Sequence, residues 1–208
     1  MSVWAVIPIK PRAACKLRLR PALSDELRLR LVRGMLGHVI EAAGLAKGID
    51  AVVLLSNERD DVPDRVPLIS DHGADLNGAL RGALPELARW GANAFVILPA
   101  DLPTLTAADI DRLAEVARSG GVAIAPDWRD EGTNALAAPT ALRSEFLFGI
   151  NSFQAHLEMI RRLGIEPAIV RSPGLAHDLD EPSDLRLAAG LFDPPITPAR
   201  QLAALEAR

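Results

Sequence analysis

Ala94-Phe95-Val96-Ile97-Leu98-Pro99-Ala100-Asp101-Leu102-Pro103 is the stretch on which the fold of this chain turns. Five apolar residues run without alternation, the pattern of a strand covered on both faces. Pro99 and Pro103 end it and hold the following loop extended, with one carboxylate, Asp101, between them. The same pattern recurs outward in both directions. Residues 3–9 form a β-branched run that stops at Pro8-Ile9-Lys10-Pro11, residues 51–55 end at Ser56-Asn57, and residues 122–125 end at Pro126-Asp127. Shorter candidates cover 66–69 and 168–170. Helical spacing fills the gaps. Leu27, Leu31, Met35, Val39 and Ala42 follow the start signal Ser24-Asp25-Glu26, and Leu76, Leu80, Leu84 and Leu87 form a second stripe. Thr106 and Asp109 have capping-box spacing ahead of Ile110, Leu113 and Val116, and 152–163 reads as a helix opened by Ser152. Strand–helix alternation of this kind implies an α/β fold: a three-layer αβα arrangement around a mainly parallel sheet. One domain over 1–192 is expected, then a tail, 193–208, with a short helix over 198–206. In such sheets the ligand crevice lies beyond the carboxyl ends of the strands.

Composition narrows the function classes. The chain has 208 residues, 49% hydrophobic and 24% charged, with a formal net charge of −4. That balance argues against a broad nucleic-acid-binding surface. No apolar run reaches the roughly 18 residues of a spanning helix, and the first residues lack a basic leader with a long apolar core. A lone cysteine, Cys15, makes no internal disulfide, so a soluble cytoplasmic protein is expected.

The chemistry gathers in five strand-end loops. Lys10-Pro11-Arg12-Ala13-Ala14-Cys15-Lys16-Leu17-Arg18-Leu19-Arg20 places five cations after the first strand. They suit a polyphosphate, or else form a solvated basic loop. Neither a P-loop nor a dinucleotide fingerprint is present. Asp101 is either a turn aspartate or a ligand for Mg²⁺, a hard ion that takes carboxylate and phosphate oxygens. In His177-Asp178-Leu179-Asp180-Glu181-Pro182, Asp178 and Asp180 face the same way if the segment is extended. They complete a metal site with Asp101 if the two loops meet. Asp180 can also cap the helix that Pro182 begins, and both roles can hold at once. His177 reads as a neighbour of these groups or a surface residue. Gly132-Thr133-Asn134, within the segment 127–136, offers N–H groups, a hydroxyl and an amide in a small volume. Phe148-Gly149-Ile150-Asn151-Ser152-Phe153, with His156 one turn on, combines a permissive glycine with a helix N-terminus suited to anions, or is simply a turn and an N-cap.

Together these segments resemble the guanylyltransferases of coenzyme F-420 biosynthesis, which act on 2-phospho-L-lactate, phosphoenolpyruvate or 3-phospho-D-glycerate. The matching stretches are Val6-Ile7-Pro8-Ile9-Lys10, Lys16-Leu17-Arg18-Leu19, Asp75-Leu76-Asn77, the Pro99–Pro103 loop, Gly132-Thr133-Asn134-Ala135-Leu136, the 148–153 segment and Asp178-Leu179-Asp180-Glu181-Pro182. The resemblance implies a nucleotide-diphosphosugar-transferase-like fold and a reaction of GTP with a three-carbon phospho-acid, giving a guanylyl phosphodiester and pyrophosphate. It implies that Thr133, Gly149 and Ser152 bind the acid, that Asp101, Asp178 and Asp180 hold Mg²⁺, and that Lys10, Lys16 and Arg18 bind the nucleotide phosphates. Asn77 would lie beside the guanine, and Lys16, Arg18 and Asp101 would carry catalysis. The implied partners are GTP and a small phosphorylated acid, with the product passing to the next enzyme of the pathway and neither nucleic acid nor membrane involved. Two other readings remain. One is a different nucleotidyltransferase, such as that of the molybdenum cofactor, marked by a glycine-rich loop where Pro8-Ile9-Lys10-Pro11 has no glycine. The other is a non-catalytic nucleotide-binding subunit, against which the three carboxylates weigh.

Overall fold

The computed structural model describes residues 1–10, 15–59, 64–142, 145–189 and 191. Arg12, the domain end near 192 and the expected helix over 198–206 lie outside the described residues. Seven strands form one sheet: β1 Val3–Pro8, β2 Ala51–Leu55, β3 Leu68–Ile69, β4 Ala94–Ile97, β5 Ala123–Pro126, β6 Thr133–Pro139 and β7 Ala168–Ile169, in the order β3-β2-β1-β4-β6-β5-β7. The helices are α1 Asp25–Leu45, α2 Leu76–Arg89, α3 Ala107–Arg118, α4 Ser152–Arg162 and α5 Pro173–Ala176, with 3-10 segments at Leu17–Leu19 and Pro182–Ala188. Among the described residues no helix is long and apolar enough to cross a membrane.

The three layers follow from strand alternation. Val3, Ala5 and Ile7 of β1 and Ala94 and Val96 of β4 point to one face and pack with Val39, Ala43, Ile110 and Leu113 of α1 and α3. Val6, Phe95 and Ile97 point to the other face, against Leu80 and Leu87 of α2 and Phe153, Leu157 and Ile160 of α4. Every strand residue of β4 is buried, which is why its sequence shows no polar alternation. The start signals act as expected at two helices: Leu27 N–H donates to Ser24 Oγ at 3.3 Å, and Thr106 and Asp109 form a reciprocal capping box.

Three expectations are corrected. The alanine-rich segment 133–139, where no strand is expected, is β6, inserted antiparallel between β4 and β5. Alanine favours helix, and burial between two strands overrides that preference. The sheet is therefore mostly parallel, with β6 the one reversed strand among those described. Second, Glu181 rather than Asp180 caps the 3-10 segment, through a capping box with Asp184. Third, α4 is not opened by the Ser152 hydroxyl: its cap is Asn151 in a left-handed conformation, with no side-chain cap bond.

Reversal of β6 has a direct consequence for function. Its first residue, Thr133, pairs with Pro126 at the end of β5, so the start of β6 lies at the same sheet edge as the ends of β1, β4 and β5. That edge opens into a cavity of about 260 Å³.

Candidate functional site

The cavity is lined by Pro8 from the end of β1, Pro99 and Asp101 after β4, Asp127 after β5, Thr133 and Asn134 at the start of β6, Gly149 and Ser152 at the start of α4, and Asp178. Thr133, Gly149 and Ser152 are thus brought together with Asp101 and Asp178. All three described non-glycine residues with positive φ, Lys16 (51°), Asp130 (60°) and Asn151 (55°), lie in loops around it. Such conformations cost energy and persist where the surrounding structure enforces them.

One side of the site is charged. Leu179 N–H donates to the Asp101 carbonyl at 3.0 Å, which fastens the 178–180 segment to the loop after β4. The Leu179 side chain is buried with Leu19, Leu31, Met35 and Leu185, so its two acidic neighbours are held at the surface of that cluster. Asp178 faces the cavity, while the carboxylate of Asp180 accepts from Lys16 Nζ at 3.2 Å and from Arg18 Nη1 at 2.6 Å. Lys16 Nζ also donates to Asp101 Oδ2. The buried Arg28 guanidinium donates to the Cys15 carbonyl, bracing the residue before Lys16. Of the five expected cations, Lys16 and Arg18 reach the carboxylates. Arg20 pairs instead with Asp25 of α1, and Lys10 is exposed, its carbonyl accepting from Cys15 Sγ at 3.4 Å.

Titration follows this arrangement. Burial works to lower the Lys16 ammonium, but the charges of Asp101 and Asp180 outweigh it and hold its pKa above the usual value. Burial, then the charge of Asp101, pushes the Asp178 carboxyl up, against the pull of Lys16. Burial also works to raise the Asp180 carboxyl, but Lys16 and Arg18 hold it below the usual range.

Among the described residues, no three His, Cys, Asp or Glu side chains stand together as a ready metal cage. Asp180 spends its oxygens on Lys16 and Arg18 rather than joining Asp101 and Asp178 around one point. Asp101 Oδ1, however, is buried without a hydrogen-bond partner. An orphaned carboxylate oxygen beside a second cavity carboxylate with a raised pKa fits Mg²⁺, which is commonly held by one or two carboxylates plus substrate phosphates.

A second part of the site, around Thr133 and His156, is joined by neutral hydrogen bonds, with the Asp127 carboxylate lining the cavity beside Gly132. Thr133 Oγ1 lies 3.0 Å from His156 Nδ1, and Leu147 N–H donates to His156 Nε2 at 2.9 Å. His156 is fully buried, and burial lowers its pKa to about 4 against an opposing bond to the Ser152 backbone. Asn134 Nδ2 donates to the Leu175 carbonyl at 2.9 Å, tying β6 to α5, the segment that leads to Asp178. Gly149 has φ +141° with open space where a Cβ would stand, so its conformation, not room, calls for glycine.

Asn77, expected beside the guanine, has its amide engaged elsewhere: Nδ2 donates to the Phe148 carbonyl at 3.0 Å and Oδ1 accepts from Phe148 N–H at 2.8 Å. It clamps the loop that carries Gly149. Its start signal is Asp75, whose carboxylate caps α2 by accepting from Gly78 N–H at 2.7 Å.

Sequence reasoning places Asp127, Asn134, Phe148 and His156 within the strand-end loops but assigns none of them a role at the site. Asp127 carries the same signal as Asp101, a carboxylate at the end of a buried strand. It lines the cavity and also shapes its own turn, accepting from Glu131 N–H at 2.9 Å. For His156, one turn into a helix, no spacing rule distinguishes it from a packed core histidine.

Comparison with known proteins adds to this geometry. Residues 3–188 match the family described as Guanylyl transferase CofC like. A phosphoenolpyruvate guanylyltransferase from Sphaerobacter thermophilus is 37% identical over 202 residues, covering 91% of this chain and 94% of that protein. A 2-phospho-L-lactate guanylyltransferase from Methanothermobacter thermautotrophicus is 32% identical over 195 residues, covering 89% of this chain and 83% of that protein. A solved structure from Desulfovibrio desulfuricans G20, described as a nucleotide-diphospho-sugar transferase, superposes with a TM-score of 0.72 at 15% identity, covering 87% of this chain and 84% of that one. This last likeness speaks to the fold.

Proposed function

The chain belongs to the CofC-like guanylyl transferase family, and from that premise we propose that it joins the phosphate of a three-carbon phospho-acid to the guanylyl group of GTP, releasing pyrophosphate. Phosphoenolpyruvate is the first acid to test, as the substrate named for the 37% identical relative, with 2-phospho-L-lactate and 3-phospho-D-glycerate as the close alternatives. The observation that carries the reading is that one cavity is lined by Thr133, Gly149 and Ser152 together with Asp101 and Asp178, with Lys16 and Arg18 held alongside by Asp180.

In this reading a phosphate oxygen of the acid attacks the α-phosphorus of GTP in line. One P–O bond forms, and the bond to the β-phosphate oxygen breaks, its electron pair leaving with pyrophosphate. The nucleophile is already an anion, so no general base is needed; the barrier is alignment and repulsion between negative groups. Lys16 and Arg18 neutralise the departing pyrophosphate, and their ion pairs with Asp180 fix where those charges stand. Thr133, Gly149 and the start of α4 orient the acid. Asp101 and Asp178 are the residues that would hold Mg²⁺, with Asp180 behind them, and the ion when bound would offset the negative charge of the two reacting phosphates.

Pyrophosphate release measured with GTP and each acid in turn, with Mg²⁺ supplied, tests the proposal. Release with at least one acid, dependent on GTP over the other nucleoside triphosphates, is the expected result. GTP binding without release for all three acids would leave a nucleotide-binding protein and remove the reaction.

A further inference from the structure

His156 is the one fully buried polar side chain at the site that the reaction above leaves without a task. Its surroundings decide its protonation. Leu147 N–H can only donate, so Nε2, at 2.9 Å, must present a lone pair. A neutral imidazole with a bare Nε2 carries its proton on Nδ1. The Nδ1 proton then faces two acceptors, Thr133 Oγ1 at 3.0 Å and the Ser152 backbone carbonyl, so Thr133 Oγ1 can only accept from the ring. A doubly protonated ring would set Nε2–H against Leu147 N–H, two donors facing each other, and burial likewise disfavours the cation.

We propose that His156 is a positioning residue that fixes the Thr133 hydroxyl as a hydrogen-bond donor into the cavity, so that this wall takes an anionic oxygen of the phospho-acid. The inference rests on the guanylyl-transfer reading and deepens it by assigning the polarity of the acid subsite. With one Oγ1 lone pair committed to Nδ1–H, the remaining proton of Thr133 is the group offered to a ligand. A carboxylate or phosphate oxygen accepts it. The relay extends backward: the Phe148 ring packs edge-on against His156 at 4.9 Å between centroids, and Asn77 holds both backbone polar groups of Phe148, one residue after the Leu147 donor. Every link is neutral and all of its groups belong to α2, β6, α4 or the loop before α4, so the direction of the donor is set before the ligand arrives.

The test uses the full chain, wild type beside His156→Leu, His156→Asn, Thr133→Val and the Thr133→Val/His156→Leu pair, with separate KM values for GTP and for the acid. His156→Leu should raise the acid KM roughly 10-fold, the scale of a hydrogen bond to a charged group, and leave the GTP KM within about twofold. His156→Asn, whose amide N–H can stand where Nδ1–H stood, should recover most of that loss. In the Thr133→Val background His156→Leu should add nothing further. Equal rises in both KM values, or an undiminished effect in the Thr133→Val background, would make His156 a packing residue and overturn the proposal. Long-range ¹H–¹⁵N NMR of the labelled wild-type protein supplies a readout free of turnover and of mutant folding. It should show Nδ1 protonated and Nε2 bare near neutral pH, and the opposite tautomer or a cationic ring would equally overturn it. Absence of pyrophosphate release by the wild type with every acid would instead count against the reaction, with the NMR result still deciding the polarity of Thr133.

Discussion

On one side of the cavity Lys16, Arg18, Asp101, Asp178 and Asp180 constrain one another through charge; on the other, Thr133, His156, Asn77 and the backbone of residues 147 and 148 constrain one another through neutral hydrogen bonds. The charged side is assembled from irregular loops far apart in sequence, 85 residues between Lys16 and Asp101 and 164 between Lys16 and Asp180. Its stiffness comes from ion pairs that brace a left-handed Lys16 and from the Leu179 amide bonded to Asp101. The neutral side is built mainly on α2, β6 and α4, and His156 and Thr133 are buried. The contrast suits two tasks. A polyphosphate leaving group calls for full charges held in place, whereas discrimination among acids that differ by a double bond or one hydroxyl calls for a few directed dipoles.

The largest effect expected on that contrast comes from Asp101→Asn. Turnover should fall by on the order of 10³-fold as a cavity carboxylate loses its charge, while the thermal melt stays close to wild type. Turnover within a few-fold of wild type at saturating Mg²⁺ would take Asp101 out of the reaction. Next, Lys16→Ala should lower kcat/KM for GTP by roughly 10²-fold and leave the acid KM nearly unchanged, since its partners belong to the charged side alone. A matching rise in the acid KM would show that the two sides are not separable. Thr133→Val should do the reverse, raising the acid KM roughly 10-fold with GTP kinetics intact.

The smallest effect is on stability. The folded-state pKa of His156, about 4, lies below its ordinary 6.5. The neutral ring therefore contributes fully above about pH 6.5, and that contribution is lost as the pH falls toward 4. It amounts to at most about 3 kcal/mol across the window. Melting temperature should decline over that range in the wild type and less steeply in His156→Asn, measured in the same buffers. Parallel slopes would mean that the loss belongs to the carboxylates of the charged side instead.

Much of the architecture was legible because buried strands and amphipathic helices carry their periods in the chain. The run at 94–98, the stripe from Leu27 to Ala42 and the capping box at Thr106 each correspond to an element. The charged residues were legible too, since carboxylates and cations placed just after apolar strands have few structural reasons to be there. β6 was not, because Ala135, Ala137 and Ala138 have no strand preference of their own; the gap between β4 and β5 makes them a strand. Asp180 reads in the sequence as a metal ligand or a cap, and only the fold shows its carboxylate spent on Lys16 and Arg18 while Glu181 caps.

By itself the amino-acid sequence determined the layers, the loops that bear charge and, through its motifs, the kinship, because these depend on spacing and composition along the chain. Only the tertiary structure decided that a reversed strand brings Thr133 to the edge where Asp101 stands, that Asn77 grips a loop, and that a histidine one turn into α4 faces that threonine. Those outcomes rest on which distant groups share a few ångströms, and hydrogen-bond direction is a property of the pair in contact that neither residue carries alone.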